Sequence, residues 1–334
     1  MGFSLAALGR AKGVQLRRAE TPVADKGVHV TVESLVALEA QARDFSFLRK
    51  QPVHRLLAGR HASQMRGRGL AFEELRNYLP GDDIRTIDWR VTARTGKPFV
   101  RVYDEEKDRP ALIVVDQRLN MFFGSRLNMK SVTAAEAAAL SAWRVMTLGD
   151  RVGGFIFNDN RIEELKPQRS RTAVIGLATA IARQNAKLNA DSTELRGTEQ
   201  LDRVLEAVAN VAQHDHLVVI ISDFEGHGPR TRDILLRLTV SNDVVAMLVY
   251  DPFMLELPQS GDIVVSGGSL QAELAMAHGK VRSGITDFAR RHGEELLAWQ
   301  QELGLPMLLV STAEETAPQL RRTLGQLAWR QRRR

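Results

Sequence analysis

Two aspartates close short apolar runs and are the first candidates for chemistry in this sequence. Asp116 ends the run ALIVVD, and Asp223 ends the run LVVIISD. Ligands of open α/β sheets bind beyond the carboxyl ends of the strands, so two neighbouring strands would bring both carboxylates to one rim. There they could hold a cation or contact a partner. The alternative interpretation is that each aspartate caps the helix that follows it.

The elements that must position these aspartates are predicted from short apolar runs that alternate with amphipathic segments. Strands are expected at 98–103, 111–116, 152–157, 217–223, 244–250 and 306–311, and helices at 130–148, 173–185, 198–212, 230–238 and 285–302. This alternation is typical of the α/β class, with a doubly wound, mostly parallel sheet between two layers of helices. A helical spacing of apolar residues also covers 30–50.

The length of 334 residues favours two domains, or one large domain with an extension. We divide the chain into a flexible arm at 1–26, an N-terminal region of irregular or β structure at 27–105 that packs on the core, the α/β domain at 106–320 and a basic tail at 321–334. A hydrophobic fraction of 44% and a charged fraction of 26% are typical of a globular protein.

The composition also limits the compartment and the chemistry. The chain has no cysteine, which excludes disulfides, thiol catalysis and cysteine-ligated zinc. No apolar run approaches the roughly 18 to 20 residues that cross a bilayer, so we expect no membrane span. The N-terminus places apolar residues before its basic ones, the reverse of a secretory signal, and this order predicts a cytoplasmic protein.

Two alternative functions follow from charge and from histidine. A net charge of +6 could serve nucleic-acid binding through His61, Arg66, Arg68 and the basic tail, although much of that charge lies at the chain ends. A metal-dependent hydrolase or nuclease could use Asp116, Asp223 and a histidine. The pair His214 and His216 has the spacing of zinc ligands, but it precedes its strand and is better interpreted as a solvated turn.

Catalytic motifs are missing from the sequence. It contains no HExxH or GxSxG pattern and no Walker A sequence, so neither the known hydrolase arrangements nor ATP hydrolysis is expected. We therefore predict a protein that is not an enzyme. Asp251 and Pro252, which follow the run VVAMLVY, are predicted to form a turn that could border the rim.

The loop residues after the first strand resemble the von Willebrand factor A pattern. In that family a first loop reads Asp-x-Ser-x-Ser, a second loop supplies Thr and a third supplies Asp, and together they form a metal-ion-dependent adhesion site for Mg²⁺. The resemblance assigns these roles by position to Asp116, Arg118, Asn120, Thr198 and Asp223. It implies a von Willebrand factor A-like sheet that recognises partners.

This chain departs from the family pattern because Arg118 and Asn120 replace the two serines. A guanidinium has no lone pair to offer a metal and repels a cation, so Mg²⁺ binding is doubtful and no cofactor is expected. Our hypothesis is that Arg118 takes the place of the cation and pairs with Asp116 and Asp223. In the alternative, Arg118 points to solvent, and Asp116, Asn120, Thr198 and Asp223 bind Mg²⁺ weakly.

A second resemblance is carried by residues 59–94, which we call the signature segment. They closely resemble the signature of the domain of unknown function 58 family, whose members carry this block ahead of a von Willebrand factor A-like domain. The matching residues that we assign to the segment are Arg76, Tyr78, Pro80, Gly81, Asp82, Asp83, Arg85, Asp88 and Trp89. Members are typically encoded beside MoxR-type AAA+ ATPases, which implies an adaptor that acts with such an ATPase and with client proteins in chaperone-like maturation of protein complexes.

The residues of the signature segment predict a fixed but irregular structure. The tetrad Pro80-Gly81-Asp82-Asp83 predicts a tight turn. The aspartates and arginines of the whole segment could form a paired network that packs it against the sheet. Trp89, Phe72 and Tyr78 could anchor it by burial. The segment is then either wholly architectural or partly a docking surface.

Overall fold

The protein is described from a computed structural model that covers residues 27–44, 70–105, 110–189, 199–257, 262–266, 271–275 and 279–332. The predicted arm at 1–26 lies outside these residues. The strands are β1 (Leu70–Asn77), β2 (Phe99–Glu105), β3 (Ala111–Asp116), β4 (Val152–Phe157), β5 (Ile162–Gln168), β6 (Leu217–Ser222), β7 (Asp243–Tyr250), β8 (Asp262–Ser266), β9 (Gln271–Ala275) and β10 (Met307–Ser311). The helices are α1 (Val32–Ala37), α2 (Trp89–Thr95), α3 (Lys130–Thr147), α4 (Arg171–Asn185), α5 (Gln200–Val211), α6 (Pro229–Ser241), α7 (Gly279–Glu302) and α8 (Thr316–Arg332).

Six strands form one mostly parallel sheet in the order β10-β7-β6-β3-β4-β5. All neighbouring pairs are parallel except β4 and β5, which are antiparallel. The chain starts at β3 in the middle, builds outward through β4 and β5, and then returns to build β6, β7 and β10 on the other side. This order is compatible with a doubly wound fold, whose switch point lies between β3 and β6.

The apolar runs form strands because both faces of the sheet are covered. Every residue of β3 is buried, as expected for a parallel strand between two helix layers. One face packs against α1, α3, α4 and α8. The opposite face packs against α5, α6 and α7.

Several boundaries differ from the sequence predictions. The strand expected at 98–103 is β2, and it pairs antiparallel with β1 in a separate sheet, so its assignment to the large sheet was wrong. The edge strand β5 was not predicted, nor was the antiparallel pair β8 and β9. The predicted basic tail at 321–334 overlaps the last helix. Residues 321–332 continue α8, whose Leu320 and Leu324 are buried in the core.

The N-terminal region is helical at its start and joins the core. The helix predicted at 30–50 is α1 followed by a 3-10 helix at Leu38–Asp44, and its remaining residues lie outside the described ranges. Leu35 is fully buried, and its backbone oxygen accepts a hydrogen bond of 3.1 Å from the indole of Trp143 on α3. No helix in the part of the chain described here combines the length and the apolar character needed to cross a bilayer.

Candidate functional site

The two aspartates predicted from the strand ends lie at the same edge of the large sheet. Asp116 is the last residue of β3, and Asp223 directly follows β6, the parallel neighbour of β3. Both are buried, with exposed fractions of 0% and 6%. We call this edge the strand-end rim, with Asp116, Arg118, Asn120 and Asp223 at its centre. It lies at the switch point of the sheet, where ligands of doubly wound folds bind.

Neither aspartate caps the long helix that follows it. The N-cap residues of α3 and α6 are Met129 and Gly228. The carboxylates of Asp116 and Asp223 instead accept hydrogen bonds from backbone N–H groups two residues further on, each 3.0 Å long. The capping alternative was therefore wrong, and the aspartates shape the loops of the rim.

Arg118 turns inward and binds the carboxylate of Asp116. Its Nε lies 3.0 Å from Oδ1 and its second terminal nitrogen 2.7 Å from Oδ2 of Asp116, an arrangement that satisfies both carboxylate oxygens. The other terminal nitrogen donates to the backbone oxygen of Glu225 at 3.0 Å. The guanidinium also lies over the ring of Phe157, 5.4 Å from its centroid. Only 3% of Arg118 is exposed, so the alternative that it points to solvent was wrong.

Asp223 is held by a different set of donors. Asn120 donates from its side-chain amide to both carboxylate oxygens, at 2.8 and 2.9 Å. The Nζ of Lys130, the first residue of α3, lies 2.5 Å from Oδ2. Arg118 contributes a longer ion pair of 3.9 Å. Sequence reasoning missed Lys130, because nothing in a lysine at a helix start indicates that it faces a strand end formed nearly a hundred residues later.

Ser222 connects the carboxylate of Asp116 to the backbone of the loop after β6. Ser222 donates from its hydroxyl to Oδ2 of Asp116 at 2.6 Å and accepts from the backbone N–H of Phe224 at 2.8 Å. Phe224 has a φ of 57°, a left-handed conformation that is uncommon for a bulky residue. Its fully buried ring meets the edge of Trp299 on α7, 6.5 Å between centroids. Burial of the ring therefore holds this bend in place.

Two histidines flank the same loop. Nε2 of His292, on α7, donates to the backbone oxygen of Asp223 at 2.8 Å. The ring of His227 lies 4.8 Å from that of His292. Burial lowers the pKa of His227, and the neighbouring His292 lowers it further. Neither histidine could be assigned to the rim from the sequence, because each belongs to a helix or loop with no recognisable motif.

The charges of the rim balance. Burial alone would raise the pKa of Asp223, but Lys130 and Arg118 outweigh it and hold that pKa well below its ordinary value. Burial likewise opposes the charge of Arg118, yet the adjacent Asp116 raises the pKa of the guanidinium above its ordinary value. Two buried carboxylates therefore face two cations. Such pairing is what makes the burial of these charges tolerable.

The residues present do not fit a Mg²⁺ site in this arrangement. Hard cations require oxygen ligands, and both carboxylates already accept hydrogen bonds from cationic side chains. Asn120 turns its N–H donors, not its oxygen, toward Asp223. Thr198, the remaining residue of the predicted set, lies outside the described residues. Within the described ranges, no group of three or more His, Asp or Glu side chains is placed to hold a metal.

A third strand-end aspartate borders this centre. Asp251 follows β7 and is 5% exposed. Its carboxylate accepts from the hydroxyls of Ser125 and Thr312 at 2.6 and 2.5 Å, and from the backbone N–H of Phe253 at 2.8 Å. Burial would raise the pKa of Asp251, but these hydrogen bonds lower it. Asp251 thus ties the loop before α3 to the ends of β7 and β10, as expected if the predicted turn borders the rim.

The histidine pair lies elsewhere. His214 and His216 precede β6, at the edge of the sheet opposite Asp223. Nδ1 of His216 lies 2.7 Å from the backbone oxygen of His214, a local turn contact. The two histidines are not brought to the aspartates.

Residues 70–94 of the signature segment are described, and the predicted turn is present. The backbone N–H of Asp82 donates to the oxygen of Leu79 at 3.0 Å, and Gly81 has a φ of 108°. Pro80 and Gly81 therefore occupy the central positions of a type II turn, where glycine supplies the positive φ. The guanidinium of Arg76 donates two hydrogen bonds, of 2.7 and 2.8 Å, to the carboxylate of Asp82.

The other two aspartates of the segment, Asp83 and Asp88, begin short helices. Asp83 accepts from the backbone N–H of Arg85 at 2.9 Å at the start of a 3-10 helix, Ile84–Thr86. Asp88 caps α2 by accepting from Arg90 and Val91 at 3.0 and 3.2 Å. The carboxylates therefore serve turns and caps more than the predicted paired network.

The prediction that aromatic burial anchors the segment was wrong for Trp89. This tryptophan is 67% exposed. It is the first residue of the seven-residue helix α2, which lies between the two strands of the small sheet in the chain. Tyr78 is partly buried, and the side chain of Phe72 lies outside the described residues.

Comparisons with known proteins support one of the two resemblances directly. The family described as "Protein of unknown function DUF58" matches residues 74–295. Uncharacterized proteins of Mycobacterium tuberculosis and Mycobacterium bovis are 31% identical over 228 residues, which cover 68% of this chain and 70% of each relative. A crystal structure of a conserved hypothetical protein, BatB from Bacteroides thetaiotaomicron, aligns with 66% of this chain and 99% of its own, at a TM-score of 0.38 and 11% identity.

The structural similarity is too low to support an argument about this chain. The family match is different in extent, because it runs from β1 into α7 and includes both the described signature residues and the strand-end rim. The mycobacterial relatives are similar over a comparable share of the chain. On these grounds the chain belongs to the DUF58 family of proteins of unknown function.

Proposed function

We propose that this chain is a non-catalytic, protein-binding adaptor with a von Willebrand factor A-like domain. It acts with a MoxR-type AAA+ ATPase in chaperone-like maturation or assembly of protein complexes. The strand-end rim is its recognition surface, and the centre of that rim is a degenerate metal-ion-dependent adhesion site. The ATPase and client partners follow from the family resemblance stated above, and the rim follows from the geometry.

The sheet supports the von Willebrand factor A-like assignment. Counted from β3, the six strands lie in the order 3-2-1-4-5-6, with the third antiparallel. The loop after the first strand carries Asp116, Arg118 and Asn120, and the loop after the fourth carries Asp223. These are the loops to which the resemblance assigned the adhesion site.

The observation that carries the proposal is the position of Arg118. Its guanidinium lies between two buried strand-end carboxylates, 2.7 Å from Asp116 and 3.9 Å from Asp223. A cation of the protein itself thus stands where the resemblance implies a metal. Asp116 and Asp223 are thus paired with cations of the protein itself, without an added ion. Such a surface suits recognition by shape and hydrogen bonding.

The same contacts weigh against the metal-dependent hydrolase. A hydrolytic metal would need Asp116 and Asp223 as ligands. Both carboxylates would first have to lose Arg118 and Lys130, which are held by short, charge-assisted hydrogen bonds. The adaptor function requires no such rearrangement.

The test is recovery of partners from the native host with the full-length tagged chain. We expect a MoxR-type AAA+ ATPase to be recovered with the wild type, in amounts that differ between ATP and ADP. Asn120→Arg adds bulk and charge to the rim and should reduce recovery several-fold. Val240→Arg is the matched control, because Val240 is 64% exposed on α6, away from the rim. Repeated recovery of the chain without any AAA+ protein would contradict the proposal.

A further inference from the structure

The signature segment exposes large apolar side chains within a short stretch. Leu79 is 59% exposed, Ile84 63% and Trp89 67%. Single exposed apolar residues are ordinary, but a group of them in one small unit is typical of an interaction site. Tryptophan is among the residues that most often dominate binding energy.

These side chains are held on a fixed frame. The backbone N–H of Tyr78 donates to the oxygen of Pro98 at 2.9 Å, and that of Asp88 donates to the oxygen of Phe99 at 2.8 Å. Both ends of the connecting loop are therefore fastened to the start of β2. The type II turn and the capped 3-10 helix fix the backbone between them, and α2 follows directly after Asp88. A surface organised in this way loses little conformational entropy on binding.

The charges around the apolar side chains are mainly positive. The cationic side chains Arg85, Arg90, Arg94 and Lys97 are all exposed. The three aspartates of the same stretch accept hydrogen bonds from groups within the segment. Asp82 is paired with Arg76, Asp83 caps the 3-10 helix, and Asp88 is 8% exposed at the cap of α2. The described side chains of this stretch therefore combine apolar contact area with an excess of positive over negative charge.

We propose that Leu79, Ile84 and Trp89, with the surrounding cations, form a docking surface for an acidic, apolar segment of a partner protein. Charge complementarity selects the acidic character, and the exposed aliphatic and indole groups select the apolar one. A nucleic acid would use the cations but would leave Leu79 and Ile84 without a suitable contact. The surface does not involve the strand-end rim, so this inference goes beyond the proposed function.

The segment that carries the docking surface precedes the large sheet in the chain. β2 leads through residues 106–109 to the amino end of β3, whereas Asp116 lies at the carboxyl end of that strand. The chain of the docking surface therefore joins the sheet at the edge opposite the rim.

The experiment uses the full chain and labelled synthetic peptides, measured by fluorescence anisotropy. The probe is a helical peptide of Glu and Leu, about four turns long. Two comparison peptides replace Glu with Lys or Leu with Ser. We expect binding of the Glu/Leu peptide only, weakened about tenfold or more by the double variant Ile84→Ser/Trp89→Ser, and similarly by Arg90→Glu/Arg94→Glu. Leu236→Ser/Val240→Ser, an exposed apolar pair on α6, should bind as the wild type does.

The peptide comparison on the wild type requires no variant, so it remains decisive even if a substitution impairs folding. Equal binding of the Lys/Leu or Glu/Ser peptide, or no binding of the Glu/Leu peptide, would overturn the proposal. So would binding confined to phosphatidylglycerol vesicles or duplex DNA, or self-association that Trp89→Ser abolishes. Asn120→Arg should keep peptide binding, which separates failure at this surface from failure at the rim.

Discussion

The strand-end rim and the signature segment use the same residue types in opposite ways. At the rim, Arg118 and Asp116 are almost completely buried, and every charge has a partner. In the signature segment, Arg76 and Asp82 form a pair of similar length, 2.7 Å, but the arginine side chain is 38% exposed. Trp89 of that segment is exposed, whereas Trp143 of the core is fully buried. We therefore expect loss of the arginine to destabilise the fold more at the buried pair than at the exposed one.

The largest expected loss in the free energy of unfolding follows substitution of Arg118. Arg118→Met leaves the buried carboxylate of Asp116 without its cation, so we expect a loss of about 3–5 kcal/mol in the free energy of unfolding. Urea denaturation followed by circular dichroism measures it. The matched control is Arg126→Met, because Arg126 and its partner Glu256 are 60% and 67% exposed. That variant should lose at most about 1 kcal/mol. Equal losses would remove the distinction between buried and exposed pairs.

The second-largest difference between the two regions is expected in how their carboxylates contribute to stability at acidic pH. The pKa of Asp223 is lowered because Lys130 and Arg118 outweigh its burial, and the pKa of Asp82 is lowered mainly by its hydrogen bond to Arg76. A carboxylate with a lowered folded-state pKa stabilises the protein above its ordinary value of 3.8, and this stabilisation is lost as the pH falls through the folded-state pKa.

We therefore expect the stability of the wild type to fall as the pH is lowered below about 4. The decline should be shallower in Asp223→Asn, and Asp82→Asn should change it less, since solvent screens the exposed pair. Thermal melts from neutral to acidic pH would measure both slopes. If Asp82→Asn changed the pH dependence of stability more than Asp223→Asn, the expected difference between the buried and the exposed pair would be contradicted.

The smallest effect is expected at Trp89. Because this side chain is 67% exposed, Trp89→Ser should change the free energy of unfolding by no more than about 0.5 kcal/mol. Trp143→Ser, in the core, should lose about 3–5 kcal/mol. Chemical denaturation of the two variants measures the contrast. A large loss at Trp89 would mean that the tryptophan supports the fold and is not available to a partner.

The central strands could be predicted from the sequence because they are buried on both faces. β3 and β4 begin and end where their apolar runs do. The edge strand β5 was missed because its sequence, IEELKPQ, has no continuous apolar run and includes a proline. Such a strand pairs on one side only, so its residues need not be apolar. β1, with the sequence LAFEELRN, was missed for a similar reason.

The site could be predicted only in part. Strand ends located Asp116 and Asp223, and the chemistry of the guanidinium led to the hypothesis that Arg118 faces them. The partner of Asp223 could not be found in this way, because Lys130 approaches from a helix start 93 residues away. Its position depends on how α3 packs across the sheet. The sequence around Lys130 contains no pattern that predicts a contact set by tertiary packing.

The proposed role of the strand-end rim depends on the Arg118 guanidinium standing where the resemblance implies a metal. Calorimetric titration of the wild type and of Arg118→Ser with Mg²⁺ and Mn²⁺ tests it most directly. Serine restores an oxygen donor at this position and removes the competing charge. We expect no micromolar binding by the wild type, and a gain of binding by Arg118→Ser once Lys130→Ala also frees the carboxylate of Asp223. Micromolar binding of either ion by the wild type would contradict the proposed role.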